Sequence, residues 1–456
     1  MAIDFSSTAQ LAKDILAKHI SAAEALEAHL EQIAKHNPDL NAVVTLDNDG
    51  ARQRAQRADE ALARGEVWGP LHGVPFSLKD AFATAGLRTT VGFPPFDHVP
   101  QNDSTVAARL KAAGGNLIGK TNVAELLADY QTNNSIFGRT NNPWNTERTS
   151  GGSSGGAAAA VASGMVPFDI GTDLSGSVRI PAHFCGLFGL KPTENRVSLA
   201  GVVPDPHGSP RSVRIMSCVG PIARTVEDLA LLYTLIAGPD RADTEVFPVP
   251  VEPMPELALK GLRIAFAPTI PGFPAAANTR QAVETLARRL SNEGAVVEPA
   301  ALPKLDFMQE LSSAGALISM MVGAFQPEEN QPPTSLAQYL EALHRRDQSI
   351  VAWKQFFDSW DVLLCPVSMI AAFPHCKPGT PLHVDDQEVS YWLVSAHTTI
   401  FNYTGHPAVV IPYQRDADGL PVGVQFVGKR WSESCLLAVA QAVSVLTGSF
   451  QRPPGY

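Results

Sequence analysis

Residues 149–181 set two small-residue turns against uninterrupted apolar runs, an arrangement that few folds can hold. The first turn is Gly151-Gly152-Ser153-Ser154-Gly155-Gly156, which runs straight into four consecutive alanines at 157–160. The second is Gly171-Thr172-Asp173-Leu174-Ser175-Gly176-Ser177-Val178-Arg179, entered from the apolar run 166–170. Glycine reaches backbone angles that other residues avoid, so both turns can bring main-chain N–H groups close to a bound group. A row of such donors is what an oxyanion hole requires. Each turn also carries hydroxyls, which attack acyl groups once a base takes their proton. A flexible Gly-Ser linker would sit in polar chain, not between apolar runs such as 157–161 and 166–170. The segment therefore reads as an active-site core.

The 456 residues, 45% of them apolar, suffice for a large buried core, and α/β enzymes of this size can form one domain. A formal net charge of −10 argues against nucleic acid as the main partner, because phosphate binding needs clustered Lys and Arg. Five scattered cysteines without a CxxC pair read as reduced thiols of a cytoplasmic protein. The N-terminal residues show no basic region followed by an apolar core, so no signal peptide is expected. The longest apolar run, 315–325, is too short to span a bilayer.

Helical spacing of Leu11 and Ile15 places a helix at 8–19, and Ser21 with Glu24 forms a capping box ahead of Leu26, Leu30 and Ile33. A strand at 41–46 and a helix at 47–64 follow. Residues 71–78 read as a strand, with Val74, Phe76 and Leu78 on one face and Ser77 and Lys79 on the other. Lys79 at its end would ordinarily be a solvated lysine; beside the serine cluster it becomes a candidate buried base. Asp103 reads as the N-cap of a helix to 113, with a short strand at 116–118, a helix at 123–130 and a polar loop at 133–144. Beyond the core the pattern gives helices at 220–237, 278–292, 307–325 and 434–446. Strands are expected at 262–266, 295–297, 361–364, 408–411 and 421–427, and proline-rich connectors at 248–255 and 326–335. The alternation argues an α/β fold. Met308, Met320, Met321 and Ile318 make 307–325 an apolar helix, more simply a core helix than a pocket wall.

Two motifs are rejected or left open. Residues 114–121 match GxxxxGK[ST], but the strand-like residues lie inside the supposed loop and a helix precedes it, so no nucleotide-binding loop is expected. Residues 151–155 match GxSxG, but the preceding segment 141–150 is polar and a poor strand for a nucleophile elbow. His183, His207, His397 and His406 keep a Ser-His-Asp arrangement open. No metal-ligand cluster is visible, and no cofactor is expected.

Taken together, Lys79 within Gly73-Val74-Pro75-Phe76-Ser77-Leu78-Lys79-Asp80, GGSSGG at 151–156 and GTDLSGSVRIP at 171–181 resemble the amidase signature family of serine hydrolases. Residues 141–145, 220–224 and 401–408 extend the resemblance over most of the chain; Thr146 and Ser150 stand where the family often has proline. The resemblance implies an α/β fold with a central mixed β-sheet covered by helices on both faces. It implies a single domain over 1–456, with N-terminal helices 8–64 packed outside, a catalytic core near 70–230 and the rest of the sheet in 260–450. It makes Ser177 the nucleophile, Ser153, 24 positions earlier and after a cis peptide bond, the bridging serine, and Lys79 the base. Main-chain N–H groups of Leu174, Ser175, Gly176 and Ser177 would form the oxyanion hole, with Asp173 and Arg179 in support. A lysine base must be neutral, so burial must lower its pKa. The function expected is hydrolysis of small or aryl amides, extending to carbamates (urethanes) and esters, by a stand-alone enzyme. Expected partners are such a small-molecule substrate, no nucleic acid and no membrane, with a homodimer left open. The alternative is the amidase component of a tRNA-dependent amidotransferase, which releases ammonia from glutamine.

Overall fold

The computed structural model describes residues 3–202, 213–325 and 334–456, with side chains of 323–325 left aside. Among the described residues fifteen strands form. In chain order they are β1 Val43–Leu46, β2 Pro75–Lys79, β3 Asn116–Thr121, β4 Asn141–Asn142, β5 Asn145–Thr149, β6 Phe168–Asp173, β7 Phe188–Lys191 and β8 Cys218–Ala223. They continue with β9 Arg263–Phe266, β10 Val296–Pro299, β11 Val362–Pro366, β12 Leu382–Val384, β13 Gln387–Val389, β14 Ala408–Arg415 and β15 Pro421–Gly428. Eleven of these join one mixed sheet in the order β1-β3-β2-β6-β8-β7-β14-β15-β11-β9-β10. β2 runs parallel to both β3 and β6, whereas β6, β8, β7, β14, β15 and β11 pair antiparallel in succession. Helices cover both faces, as the resemblance implied.

Local chemistry sets the helix ends. Ser21 and Glu24 close a reciprocal capping box on the helix Ala22–Leu40, satisfying two N–H groups that the first turn leaves unpaired. Asp47 caps the helix Asn48–Ala63, whose buried stripe is Ala51, Ala55, Ala58 and Ala61. The helix Thr8–Leu16 is tied to the body by Asp228, whose carboxylate accepts the N–H groups of Thr8 and Ala9 at 2.9 Å each.

The departures from the sequence pattern have identifiable causes. Residues 220–237 divide, because Gly220 and Pro221 pair in β8 and Thr225 caps a helix beginning only at Val226. Ser104, not Asp103, is the N-cap of the helix Thr105–Ala112; Asp103 instead accepts the Lys111 ammonium at 2.8 Å. Residues 123–130 hold only a 3-10 turn, Glu125–Leu127, since Leu126 (φ 51°) and Leu127 (φ 60°) take left-handed backbone. A strand does precede the GxSxG segment, but it is β5, paired with β4 in a separate hairpin outside the main sheet. Residues 116–121 form β3 inside the supposed nucleotide loop, and Lys120 is buried, donating to Phe82 O and Thr89 Oγ1. Most of the expected connector 326–335 lies outside the described residues.

The helix Gly155–Ala162 is buried at every position and packs on β6. Only small residues allow this approach: a Cβ on Gly156 would lie 2.4 Å from Asn122 N and 2.5 Å from Asn122 O. We expect Gly156→Ala to destabilise the fold by about 1–3 kcal/mol through backbone overlap. Gly315→Ala, in the exposed interior of the helix Phe307–Phe325 where a Cβ meets nothing within 4 Å, should stabilise it by about 0.5–1 kcal/mol. Urea denaturation midpoints of the two variants check the opposite signs.

Candidate active site

β2 lies between β3 and β6, so its last residue, Lys79, projects its amine into protein and is 0% exposed. Its Nζ donates to Ser153 Oγ at 2.7 Å and to Thr172 Oγ1 at 2.7 Å. Burial disfavours the ammonium and lowers the pKa from 10.5 to about 7, although Asp173 and Asp169 pull it upward. Near neutral pH a substantial fraction of this amine has a free lone pair. Such an amine can take a proton from a hydroxyl.

Asp169 is fully buried in β6, where Ser77 Oγ (2.5 Å) and Thr121 Oγ1 (3.0 Å) donate to its Oδ2 and Oδ1 has no hydrogen-bond partner. Burial raises its pKa to about 7, against those hydroxyls and the Lys79 N–H.

Ser153 follows a cis Gly152–Ser153 peptide bond. A Cβ on Gly152 would lie 2.5 Å from Asp129 O and 2.7 Å from Tyr130 C, so only glycine lets the 129–131 segment press against the serine turn.

The second turn is organised by Asp173 at the end of β6. Its carboxylate accepts the N–H groups of Gly176 (2.8 Å), Val178 (3.2 Å) and Arg179 (3.4 Å). The Arg179 guanidinium adds Nε and Nη2 at 3.0 Å each, and Asn402 Nδ2 adds a donor at 2.9 Å. Burial alone would raise this carboxyl, but the Arg179 charge and these donors hold it well below the usual carboxylate range. Arg179 is itself fully buried and reaches Gln425 Oε1 at 3.2 Å and Asn402 Oδ1. Because the Gly176 N–H is spent on Asp173, that residue shapes the turn (φ 115°) while the N–H groups of Leu174, Ser175 and Ser177 have no hydrogen-bond partner among the described residues.

Ser153, Thr172, Leu174, Ser175 and Ser177 border one cavity of about 290 Å³. Its walls are mostly apolar, with Leu126 and Leu127 from the left-handed turn, Leu199 and Val202, and Ile318 and Val322 from the helix Phe307–Phe325. That helix is therefore a pocket wall as well as a core element. The Ser177 hydroxyl has no hydrogen-bond partner among the described residues. The structure thus brings Ser153, Leu174, Ser175 and Ser177 around one space, with Lys79 behind Ser153 and Thr172, and Asp173, Gly176 and Arg179 behind the second turn.

No histidine competes for the serines among the described residues. His183 is held by Gly423 N (2.8 Å) and Ile370 O (3.1 Å), and burial lowers it to about 4. Burial lowers His397 to about 3, and His406 is bonded to Thr404 Oγ1. His207 lies outside the described residues. The same residues include no helix long and apolar enough to cross a membrane.

Serine hydroxyls beside a buried amine of lowered pKa and a row of unpaired N–H groups are the equipment that acyl transfer requires. The family model for amidases matches residues 24–325 and 318–437. A bacterial aryl acylamidase of the amidase signature enzymes has the same fold, with a TM-score of 0.85 and 26% identity over 98% of this chain and 97% of that one. This chain belongs to the amidase signature family. A structure described as a vestigial protein complex revealing the origins of an s-triazine catabolic enzyme aligns with a TM-score of 0.87 and 30% identity, covering 98% and 100% of the two chains. Among curated proteins, a glutamyl-tRNA(Gln) amidotransferase subunit from Roseiflexus sp. (strain RS-1) is 35% identical over 482 residues, 95% of each chain.

Relatives from other bacteria carry that same name. This finding corrects two expectations: that of a stand-alone hydrolase of small or aryl amides, carbamates and esters, and that of small-molecule partners without nucleic acid. The apolar helix Phe307–Phe325 gives Ala314 and Leu317 to the core and Ile318 and Val322 to the cavity, so its composition does not distinguish substrates. A net charge of −10 bounds what one chain binds alone, not what an assembly containing it binds.

Several contacts have little or no signal in the sequence. Thr172 and Asp169 are legible in principle, as polar residues inside an otherwise apolar strand. Asn402 lies in the segment 401–408 that extends the resemblance, but nothing in the sequence marks it or Gln425, more than 220 residues from the turn, as a brace. Carbon-detected NMR of the lysine side chains should show Lys79 titrating near pH 7 rather than near 10.5. Asp169→Asn should move that titration lower still, because it removes a negative charge that favours the ammonium.

Proposed function

We propose that this chain is the amide-hydrolysing component of a glutamyl-tRNA(Gln)-type amidotransferase, releasing ammonia from glutamine. The supporting observation is the end-to-end likeness to subunits of that enzyme, at 35% identity over 95% of both chains. A partner polypeptide and a tRNA-bound acceptor of the ammonia follow from the same reading.

In this reading Ser177 is the nucleophile, Ser153 the proton relay and Lys79 the base. The neutral Lys79 amine accepts the Ser153 proton as Ser153 takes the Ser177 proton, and Ser177 Oγ bonds to the amide carbon. Negative charge collects on the former carbonyl oxygen, where the N–H groups of Leu174, Ser175 and Ser177 form the oxyanion hole. The carbon–nitrogen bond then breaks, ammonia leaves with a proton returned by Ser153, and Ser153 recovers one from the Lys79 ammonium. Water attacks the acyl-enzyme by the same route, giving glutamate and free Ser177. Asp173 and Arg179 act behind the turn and keep its N–H groups aimed.

Glutamine-dependent ammonia release should be measured for the purified chain, alone and with amidotransferase partner subunits and glutamyl-tRNA. Release that needs Ser177 supports the reading; none under either condition sinks it. The rate should rise with pH through about 7 and then level off, since only the deprotonated amine acts and its pKa is lowered to about that value. Lys79→Ala should flatten that limb and lower amide turnover by about 10²-fold or more.

A further inference from the structure

Asp129 stands on the rim of the same cavity as Ser153 and Ser177, in the segment that Gly152 admits so closely. Its Oδ1 is fixed by the Tyr130 N–H at 2.8 Å and the Tyr391 hydroxyl at 2.5 Å. Tyr391 is buried and held in turn by Gln131 Nε2 at 3.1 Å, which also anchors on Cys376 O at 2.8 Å. The Gln131 N–H also favours the charged form, and among the described residues no other side chain donates to the carboxylate and no ion-pair partner meets it. No cationic side chain appears among the described residues bordering the cavity, whose surface is mostly apolar. A half-buried carboxylate in such surroundings without a counter-charge is stabilised when a ligand supplies one.

We propose that Asp129 is a specificity-determining residue whose carboxylate receives a positively charged ammonium group on the substrate. Its ligand class is an amide that carries a primary ammonium a few bonds from the scissile carbon, as glutamine does. This rests on the reading of the Ser153–Ser177 cavity as the amide site. Burial raises the Asp129 pKa, and an arriving ammonium would reverse that shift, so the free site is poised for a cation.

Asp129→Asn separates this role from a structural one. The amide keeps an Oδ1 acceptor for Tyr130 and Tyr391 but loses the charge. Calorimetric binding of 4-aminobutanamide and butanamide to the Ser177→Ala protein isolates recognition from turnover. We expect the ammonium-bearing ligand to bind about tenfold tighter or more, and Asp129→Asn in that background to bring the two affinities together. Equal affinities in the Ser177→Ala parent overturn the inference, whether or not the asparagine variant folds. A preference that survives Asp129→Asn overturns it as well.

Turnover distinguishes this failure from that of the wider reading. Preference for 4-aminobutanamide without any glutamine hydrolysis keeps Asp129 as the cation site and removes the glutamine assignment. Glutamine hydrolysis without ammonium preference does the reverse.

Discussion

The Asp173 carboxylate accepts three backbone N–H groups from its own turn, two guanidinium N–H groups of Arg179 and the Asn402 amide, all out of contact with water. Six donors on one buried anion leave the turn a single conformation. Gly176 faces inward, and its neighbours on both sides are left with N–H groups pointing elsewhere. Breaking a buried pair of this kind leaves an uncompensated charge, at about 3–5 kcal/mol. That penalty makes the turn rigid enough to present a hydroxyl and unpaired donors.

Lys79 illustrates the complementary use of burial. Asp173 has its charge retained by surplus donors, whereas burial weakens the charge of Lys79, whose amine meets only two hydroxyls. The two residues end neighbouring strands of one sheet, and both pKa values fall, with opposite consequences: the fall secures the anion of Asp173 and weakens the cation of Lys79. Asp169 lies between these extremes, with two hydroxyl donors on one oxygen and none on the other. Its negative charge limits how far the lysine falls.

Legibility follows sequence distance. The capping box at Ser21, the helix Phe307–Phe325 and the cores of most strands are readable because capping chemistry and periodicity act over a few residues. The helix Leu336–Ser359 has a capping box at Ser335 and Gln338, but its buried face includes Arg346 and Ser349, which blur the apolar stripe. The turn at Leu126 and Leu127 reads as helix because left-handed leucines carry no compositional mark. The resemblance named Lys79, Ser153 and Ser177, and the family it named is the one the chain belongs to. Substrate is another matter: wall residues such as Ile318 and Val322 fit an apolar core equally well, and the side chains that brace the turn come from the far end of the chain.

The order of strands in the sheet has a bearing on biosynthesis. β14 and β15 lie inside the sheet, joining β7 on one side to β11 on the other, yet they come after all the sheet's other strands in the chain order of the described residues. A nascent chain that has emerged as far as β13 holds two unjoined half-sheets with facing edges open, and Arg179 lacks both Asn402 and Gln425. The serine turn is thus completed only once Asn402 and Gln425 have left the ribosome. Until then the exposed strand edges are a natural surface for chaperones. An incomplete translation product of this gene carries every residue of the serine cluster but not the brace that shapes it.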